Sequence, residues 1–103
     1  MYLIRDVMYC KPGKVRAMAE KFTAMSKLGE KSGMPAMRVM TDVSAERYWT
    51  VVAEMEVDSL QRWEDMMRAM PGDDAAMKEI EKIMKDYHEL VDQGRREIYR
   101  IES

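Results

Sequence analysis

The first residues of this chain have the pattern of a β-strand, and the apolar residues that follow have the spacing of an amphipathic helix. Tyr2–Cys10 is rich in β-branched, aromatic and aliphatic residues, which predicts a strand. Pro12 then breaks the strand, and its missing N–H suits the first turn of a helix. This helix is expected to end at Gly33. Its apolar residues recur at steps of three and four and form one stripe, namely Val15, Met18, Ala19, Phe22, Met25 and Leu28.

Two further strands are predicted in the middle of the chain, with a turn over residues 42–46 between them. The first strand is short and spans Ala36–Thr41. The second, Arg47–Val57, has the strongest strand pattern in the chain, because its side chains alternate between two faces. One face carries Trp49, Val51, Ala53 and Met55, and the other carries Tyr48, Thr50, Val52 and Glu54.

The last part of the chain predicts two helices and a strand. Leu60, Trp63 and Met67 mark an amphipathic helix that is expected to end at Pro71-Gly72. A third helix is expected to begin near Asp73-Asp74, where acidic residues suit the positive end of the helix dipole, and to end at Gly94. Arg95–Ile101 is predicted to form the final strand. The inward residues of the third helix are Met77, Ile80, Ile83, Met84, Tyr87 and Val91.

The predicted order is βαββαβ, with the second helical segment split in two, which is typical of the ferredoxin-like α+β fold. Residues 1–103 form one domain in this interpretation, with helices over one face of a four-stranded antiparallel sheet. Arg47–Val57 carries large apolar residues on both faces, so we expect a homodimer with sheet-to-sheet packing. Glu54 and Arg96 are expected on the face between the copies. Glu54 should form a salt bridge there with Arg5, Arg96 or Arg100.

Composition narrows the range of partners. The net charge of -2 gives no general attraction to nucleic acid or to a membrane. The first helix is basic, but its only aromatic residue, Phe22, lies on the apolar stripe, so nucleic-acid binding is not expected. Cys10 is the only cysteine, which fits a reducing compartment. No apolar stretch approaches the roughly 20 residues of a membrane span, and we expect a cytoplasmic protein.

The order of elements, the helix beginning Ser59-Leu60-Gln61-Arg62-Trp63 and the terminal Gly94–Tyr99 segment resemble the dimeric α/β-barrel superfamily. Within it, the chain is similar to the NIPSNAP-like and antibiotic-biosynthesis-monooxygenase-like branches, over essentially its whole length. The resemblance implies a dimer with a pocket between the sheet and the helices of each subunit. Members of the superfamily include cofactor-free monooxygenases, haem-degrading enzymes, isomerases and domains without an assigned activity.

Haem degradation is not predicted for this chain. In the haem-degrading relatives, an Asn on the first strand, a Trp on the second helix and a His about ten residues later form the site. Trp63 matches the tryptophan, but position 73 is Asp73 and the sequence contains no Asn. The resemblance therefore fails at two of three positions.

His88, the only histidine, is the one catalytic candidate. It is either a surface residue near the end of the third helix or a proton shuttle at the mouth of a pocket. A metal site would need a cluster of further ligands with suitable spacing, and the sequence has none. We expect neither a metal nor a cofactor.

Large apolar residues are the candidates for a ligand site. They either fill the core or line a cavity for a flat apolar molecule, with Arg96, Tyr99 or Asp6 as polar anchors. The candidates are Trp63, Trp49, Phe22, Met67 and Tyr87. The thirteen methionines are interpreted mainly as gap-filling core residues, and otherwise as a compliant pocket lining. Met37 and Met40 should point to opposite faces of their strand.

Two functional hypotheses follow. The first is a small dimeric α/β-barrel protein that binds a small apolar or aromatic ligand between sheet and helices without chemistry. The alternative is a cofactor-independent monooxygenase or isomerase that acts on an aromatic, polyketide-like substrate. A cavity beside Trp63 would support either hypothesis, whereas a filled core there would favour a purely structural domain.

Overall fold

An antiparallel sheet in the order β2-β3-β1-β4 forms the centre of the computed structural model, which describes residues 1–69 and 72–103. Its strands are β1 (Tyr2–Cys10), β2 (Arg38–Thr41), β3 (Thr50–Val57) and β4 (Val91–Arg100). The helices are α1 (Val15–Lys31), α2 (Leu60–Ala69) and α3 (Asp74–Met84), followed by a 3-10 turn over Tyr87–Glu89. This is the predicted ferredoxin-like βαββαβ order with a divided second helical segment. The predicted end of α2 at Pro71 lies outside the described residues.

The main core lies between α1 and the central strands. Met18 of α1 and Val51 of β3 are fully buried, and Phe22 and Ala53 pack in the same cluster. The stripe of α1 therefore faces the sheet, as its three- and four-residue spacing predicts. None of the helices within residues 1–69 and 72–103 is both long and apolar enough to cross a membrane.

The predicted course of the third helix is wrong beyond Met84. Asp86 adopts a left-handed backbone conformation with φ of 61°, which a continuing α-helix cannot contain. β4 begins at Val91, so Gly94 lies inside the strand and does not end a helix. A Cβ at Gly94 would lie 2.5 Å from the Met8 sulfur, because the two residues are paired across β1 and β4. Glycine therefore leaves room for the Met8 side chain, which would have to move if position 94 carried a Cβ.

β3 begins three residues later than predicted, and β2 begins at Arg38 instead of Ala36. Trp49 has a positive φ of 63° and belongs to the connection between the strands. The Cys10 N–H donates to the Trp49 carbonyl at 2.8 Å, which holds this connection against the end of β1. Trp49 and Tyr48 are thus exposed outside the strand, contrary to prediction. From Thr50 onward the predicted alternation is confirmed.

The sheet face away from the helices is called the open face here. It carries a row of charges that runs across all four strands, because Arg38, Glu54, Arg5 and Glu97 are neighbours in the strand register. The expected salt bridge of Glu54 is confirmed, since Arg5 Nε lies 3.0 Å from its carboxylate. The prediction for Arg96 is wrong, because Arg96 pairs with Asp6 and lies on the face covered by the helices.

Candidate functional site

A cavity of about 410 Å³ lies between the sheet and the three helices. α2 contributes Trp63 and Met67, which are four residues apart and therefore share one face of the helix. The apolar stripes of α1 and α3 also face the cavity. Residues of β1 and β3 form its wall on the side of the sheet. Within residues 1–69 and 72–103, seven methionines line the cavity, namely Met25, Met34, Met37, Met55, Met67, Met77 and Met84.

The charged residues of the described lining are Asp6 and Arg96, which form one ion pair. They face each other across β1 and β4. Arg96 Nε donates to one carboxylate oxygen at 2.7 Å and Nη2 donates to the other at 3.3 Å. This bidentate contact raises the pKa of the Arg96 guanidinium above its ordinary value. The pair thus places a polar, charge-balanced group in a wall whose other described side chains, apart from Ser26, are apolar.

Trp63 lies against the guanidinium group of Arg96. The guanidinium carbon lies 5.2 Å from the centre of the Trp63 ring, within the range of a cation–π interaction. Trp63 of α2 therefore contacts the edge strand β4 through Arg96, the arginine that is also paired with Asp6. The arrangement orients both the flat ring and the donor group toward one volume.

The structure brings together three of the five ligand candidates predicted from the sequence. Trp63, Phe22 and Met67 line the cavity, and the suggested anchors Asp6 and Arg96 lie beside them. The methionine lining was predicted only in general terms, from the high methionine content. Met37 lines the cavity and Met40 lies on the open face, so the expected separation of these two residues is confirmed.

The remaining candidates lie elsewhere. Trp49 is in the connection before β3, and Tyr87 packs against the core cluster beyond the end of α3. His88 is exposed, and its ring stacks on Tyr87 with centroids 3.9 Å apart. Tyr99 lies on the open face and donates to Glu97 at 3.1 Å. Tyr87 and His88 are absent from the cavity because the third helix stops early, and Trp49 because β3 begins late. Tyr99 is absent because alternate side chains of β4 point to the open face.

The open face differs chemically from the cavity. Arg38 and Arg5 donate hydrogen bonds to Glu54, and these contacts hold the pKa of the buried carboxyl below its ordinary value. Tyr9 lies between two guanidinium groups, with Arg47 4.3 Å and Arg95 5.4 Å from the centre of its ring. The charges of the row Arg38, Glu54, Arg5 and Glu97 therefore satisfy one another within the chain.

Cys10 is not an activated nucleophile. Burial raises the pKa of its thiol, and the nearby carboxylates of Asp42 and Asp92 raise it further. The thiol therefore stays protonated at neutral pH, whereas nucleophilic cysteines need the opposite shift.

No protein-family model and no curated protein matches the chain. Solved structures do resemble it. A NIPSNAP domain protein from Burkholderia xenovorans has a TM-score of 0.73 and 14% identity, with 98% of this chain and 94% of that chain covered. A protein from Agrobacterium tumefaciens has a TM-score of 0.75 and 12% identity, with 97% and 92% covered. A NIPSNAP family protein from the same organism has a TM-score of 0.70 and 10% identity, with 96% and 90% covered.

These similarities show a shared fold. The NIPSNAP-like fold that was predicted from the sequence is confirmed, since two of the three structures are NIPSNAP proteins. At such low identity the likeness carries no information on activity. The resemblance to antibiotic-biosynthesis monooxygenases stays a prediction.

Proposed function

We propose that this protein binds a small apolar or aromatic molecule in the cavity between its sheet and its helices. The observation that carries this proposal is a volume of about 410 Å³ whose described lining is mostly apolar and includes the ion pair of Asp6 and Arg96. Ligand sites typically occupy about 300–1,000 Å³ and combine an apolar lining with a few polar groups. Met67 and Met77 of its lining are exposed, so the volume opens to solvent and a ligand has access to it.

The geometry favours binding without turnover. A cofactor-independent monooxygenase or isomerase needs a general base within reach of its substrate. Asp6 is the carboxylate of the described lining, and both of its oxygens accept hydrogen bonds from Arg96. His88, the catalytic candidate, does not line the cavity. The monooxygenase or isomerase remains the alternative function, with Asp6 as its base if Arg96 is displaced.

Binding of N-phenyl-1-naphthylamine, a neutral and flat fluorescent probe, tests the proposal. Trp63→Ala should weaken binding about tenfold, because an aromatic contact worth roughly 1.4 kcal/mol is lost. Trp49→Ala is the matched control, since the same side chain is removed outside the cavity. Its affinity for the probe should equal that of the wild type. Circular dichroism of each variant verifies the fold.

Two results would contradict the proposal. One is no fluorescence change with the wild-type protein. The other is equal loss of affinity in Trp63→Ala and Trp49→Ala, which would place the probe outside the cavity. Turnover is a separate question, and oxygen uptake or isomerisation of an aromatic ketone substrate that disappears in Asp6→Asn would favour the enzymatic alternative.

We also propose that two copies of the chain associate through their open faces. An antiparallel sheet covered on one side ordinarily presents a polar face to water. Here the charges of the row Arg38, Glu54, Arg5 and Glu97 are paired within the chain, and apolar side chains such as Val7, Val52 and Met40 lie near them. Pairing lowers the cost of covering the charges, so a second copy is a suitable partner for this face. A stable interface of this kind should bury more than roughly 1,000 Å² in total.

Sedimentation equilibrium at micromolar concentration tests the association. The wild type should sediment as a dimer, and Val52→Lys on the open face should shift it toward the monomer. Val43→Lys is the control, because Val43 is fully exposed in the connection before β3. A monomeric wild type would refute the proposed dimer.

A further inference from the structure

Methionine is strongly preferred over leucine in this protein, and the preference is concentrated at the cavity. The sequence has thirteen methionines and four leucines. Seven of the methionines, but none of the leucines, belong to the described lining. Leucine would supply a similar apolar volume without a reactive sulfur. The wall of the cavity is therefore both compliant and open to oxidation at sulfur.

The methionines of the wall differ in their access to solvent. Met67 on α2 and Met77 on α3 are 41% and 43% exposed, whereas Met34 is only 7% exposed. Both exposed residues also line the cavity, so each thioether meets solvent and the ligand volume. An oxidant dissolved in water should therefore reach Met67 and Met77 before the buried Met34.

We propose that Met67 and Met77 are modification sites at which peroxide-class oxidants reduce the affinity of the cavity for apolar ligands. This inference rests on the proposed function. The thioether sulfur attacks one oxygen of hydrogen peroxide, the O–O bond breaks and an S–O bond forms. The proton of the transferred hydroxyl passes to the departing hydroxide, which leaves as water. Sulfur loses two electrons and becomes a sulfoxide, and the peroxide is reduced.

The sulfoxide changes the chemistry of the wall. It replaces an apolar, flexible group by a polar one that hydrogen-bonds to water. An apolar ligand must strip that water from the sulfoxide without offering a hydrogen bond in return, which makes binding less favourable. Oxidation at Met67 and Met77 therefore lowers affinity without a change of fold. The modification is chemically reversible, since methionine sulfoxide reductases restore the thioether.

The test combines mass spectrometry with probe binding. The protein is treated with hydrogen peroxide, freed of the oxidant, and titrated with N-phenyl-1-naphthylamine. Peptide mapping should find sulfoxide at Met67 and Met77 before Met34. Probe affinity should fall about tenfold and recover after treatment with methionine sulfoxide reductase. Circular dichroism of the oxidised protein separates loss of binding from unfolding.

Substitutions locate the effect. The double variant Met67→Leu with Met77→Leu lacks both sulfurs, so peroxide should leave that variant's own affinity for the probe unchanged. Met40→Leu is the matched control, because Met40 is 37% exposed on the open face, away from the cavity. That variant should stay as sensitive to peroxide as the wild type.

The outcomes separate this inference from the proposed function. If the untreated wild type fails to bind the probe, the proposed function fails and the inference with it. If the wild type binds but oxidation at Met67 and Met77 leaves affinity unchanged, the inference alone is refuted. Equal sensitivity of the double leucine variant and the wild type would also refute it.

Discussion

The two faces of the sheet differ in how they use polar side chains. On the helix-covered face, the ion pair of Asp6 and Arg96 lies at the border of a cavity whose described lining is mostly apolar. On the open face, the charges of Arg38, Glu54, Arg5 and Glu97 alternate in sign and follow one row across the strands. Neighbouring residues of β1 contribute to both environments, because successive side chains point to opposite faces.

The helix-covered face is therefore suited to adapt to a ligand, whereas the open face is suited to keep a fixed geometry. Thioethers on flexible side chains can change rotamer to fit ligands of different shape. Hydrogen-bonded guanidinium and carboxylate groups tolerate little change in geometry, since their energy depends on direction. We therefore expect the helix-covered face to control ligand binding and core stability. The open face should control strand register, pH dependence and association.

The same substitution on the two faces gives the largest expected contrast. Met18→Ala should lower the free energy of unfolding by about 2–5 kcal/mol, because Met18 is fully buried under α1 and its removal leaves a cavity. Met40→Ala on the open face should cost less than about 0.5 kcal/mol in the monomer, because Met40 is 37% exposed in the single chain. Urea unfolding of both variants measures the contrast. Equal costs would show that the open face is as deeply covered as the core, as in a tight dimer.

A substitution at Gly94 tests the packing between β1 and β4. Gly94→Ala should lower the free energy of unfolding by about 1–3 kcal/mol, because the new Cβ would lie 2.5 Å from the Met8 sulfur. The Met8 side chain can move, so the cost should be smaller in a Met8→Ala background. A double-mutant cycle measured by urea unfolding gives this coupling. No destabilisation would indicate that Gly94 is not opposite Met8.

Gly94, compared with Trp63 and Met67, shows which features can be predicted from the sequence and which cannot. Stripes such as Trp63 and Met67 depend only on local spacing, and the structure places both side chains where the spacing predicts. A glycine after an amphipathic segment suggests a helix end, but here it satisfies a contact with a residue 86 positions earlier. Such long-range contacts leave no periodic signal in a single sequence.

The same limit applies to the connection before β3 and to the cavity. Trp49 fits the strand alternation, but hydrogen bonds from Cys10 to Trp49 and from Thr50 to Asp42 hold the segment in a different conformation. The apolar residues of three helices were predictable one by one. The volume they leave between them depends on how the helices pack, so a filled core and a lined cavity have the same sequence pattern.

Glu54 should make the stability of the open face depend on pH. Its folded-state pKa is lowered by Arg38 and Arg5, so its contribution is present above the unfolded pKa of about 4.3 and is lost as the pH falls through the folded value. Glu54→Gln should cost about 1 kcal/mol at pH 7, since both arginines retain contact with water. Unfolding at pH 7 and near pH 3 should show this difference shrinking. Glu56→Gln, at an exposed position of the same strand face, should change little at either pH.

The smallest expected effect concerns Tyr9 and Arg47 on the open face. Arg47→Ala should lower the free energy of unfolding by about 0.5–1 kcal/mol, because it removes a guanidinium 4.3 Å from the centre of the Tyr9 ring. Arg16→Ala, at an exposed position of α1, controls for the loss of one positive charge. If the Tyr9 ring is the partner of Arg47, Arg47→Ala should lower the free energy of unfolding by less in a Tyr9→Leu background than in the wild type. An unchanged cost in that background would show that Arg47 stabilises the connection without the tyrosine, and the order of the open face would then rest on its salt bridges alone.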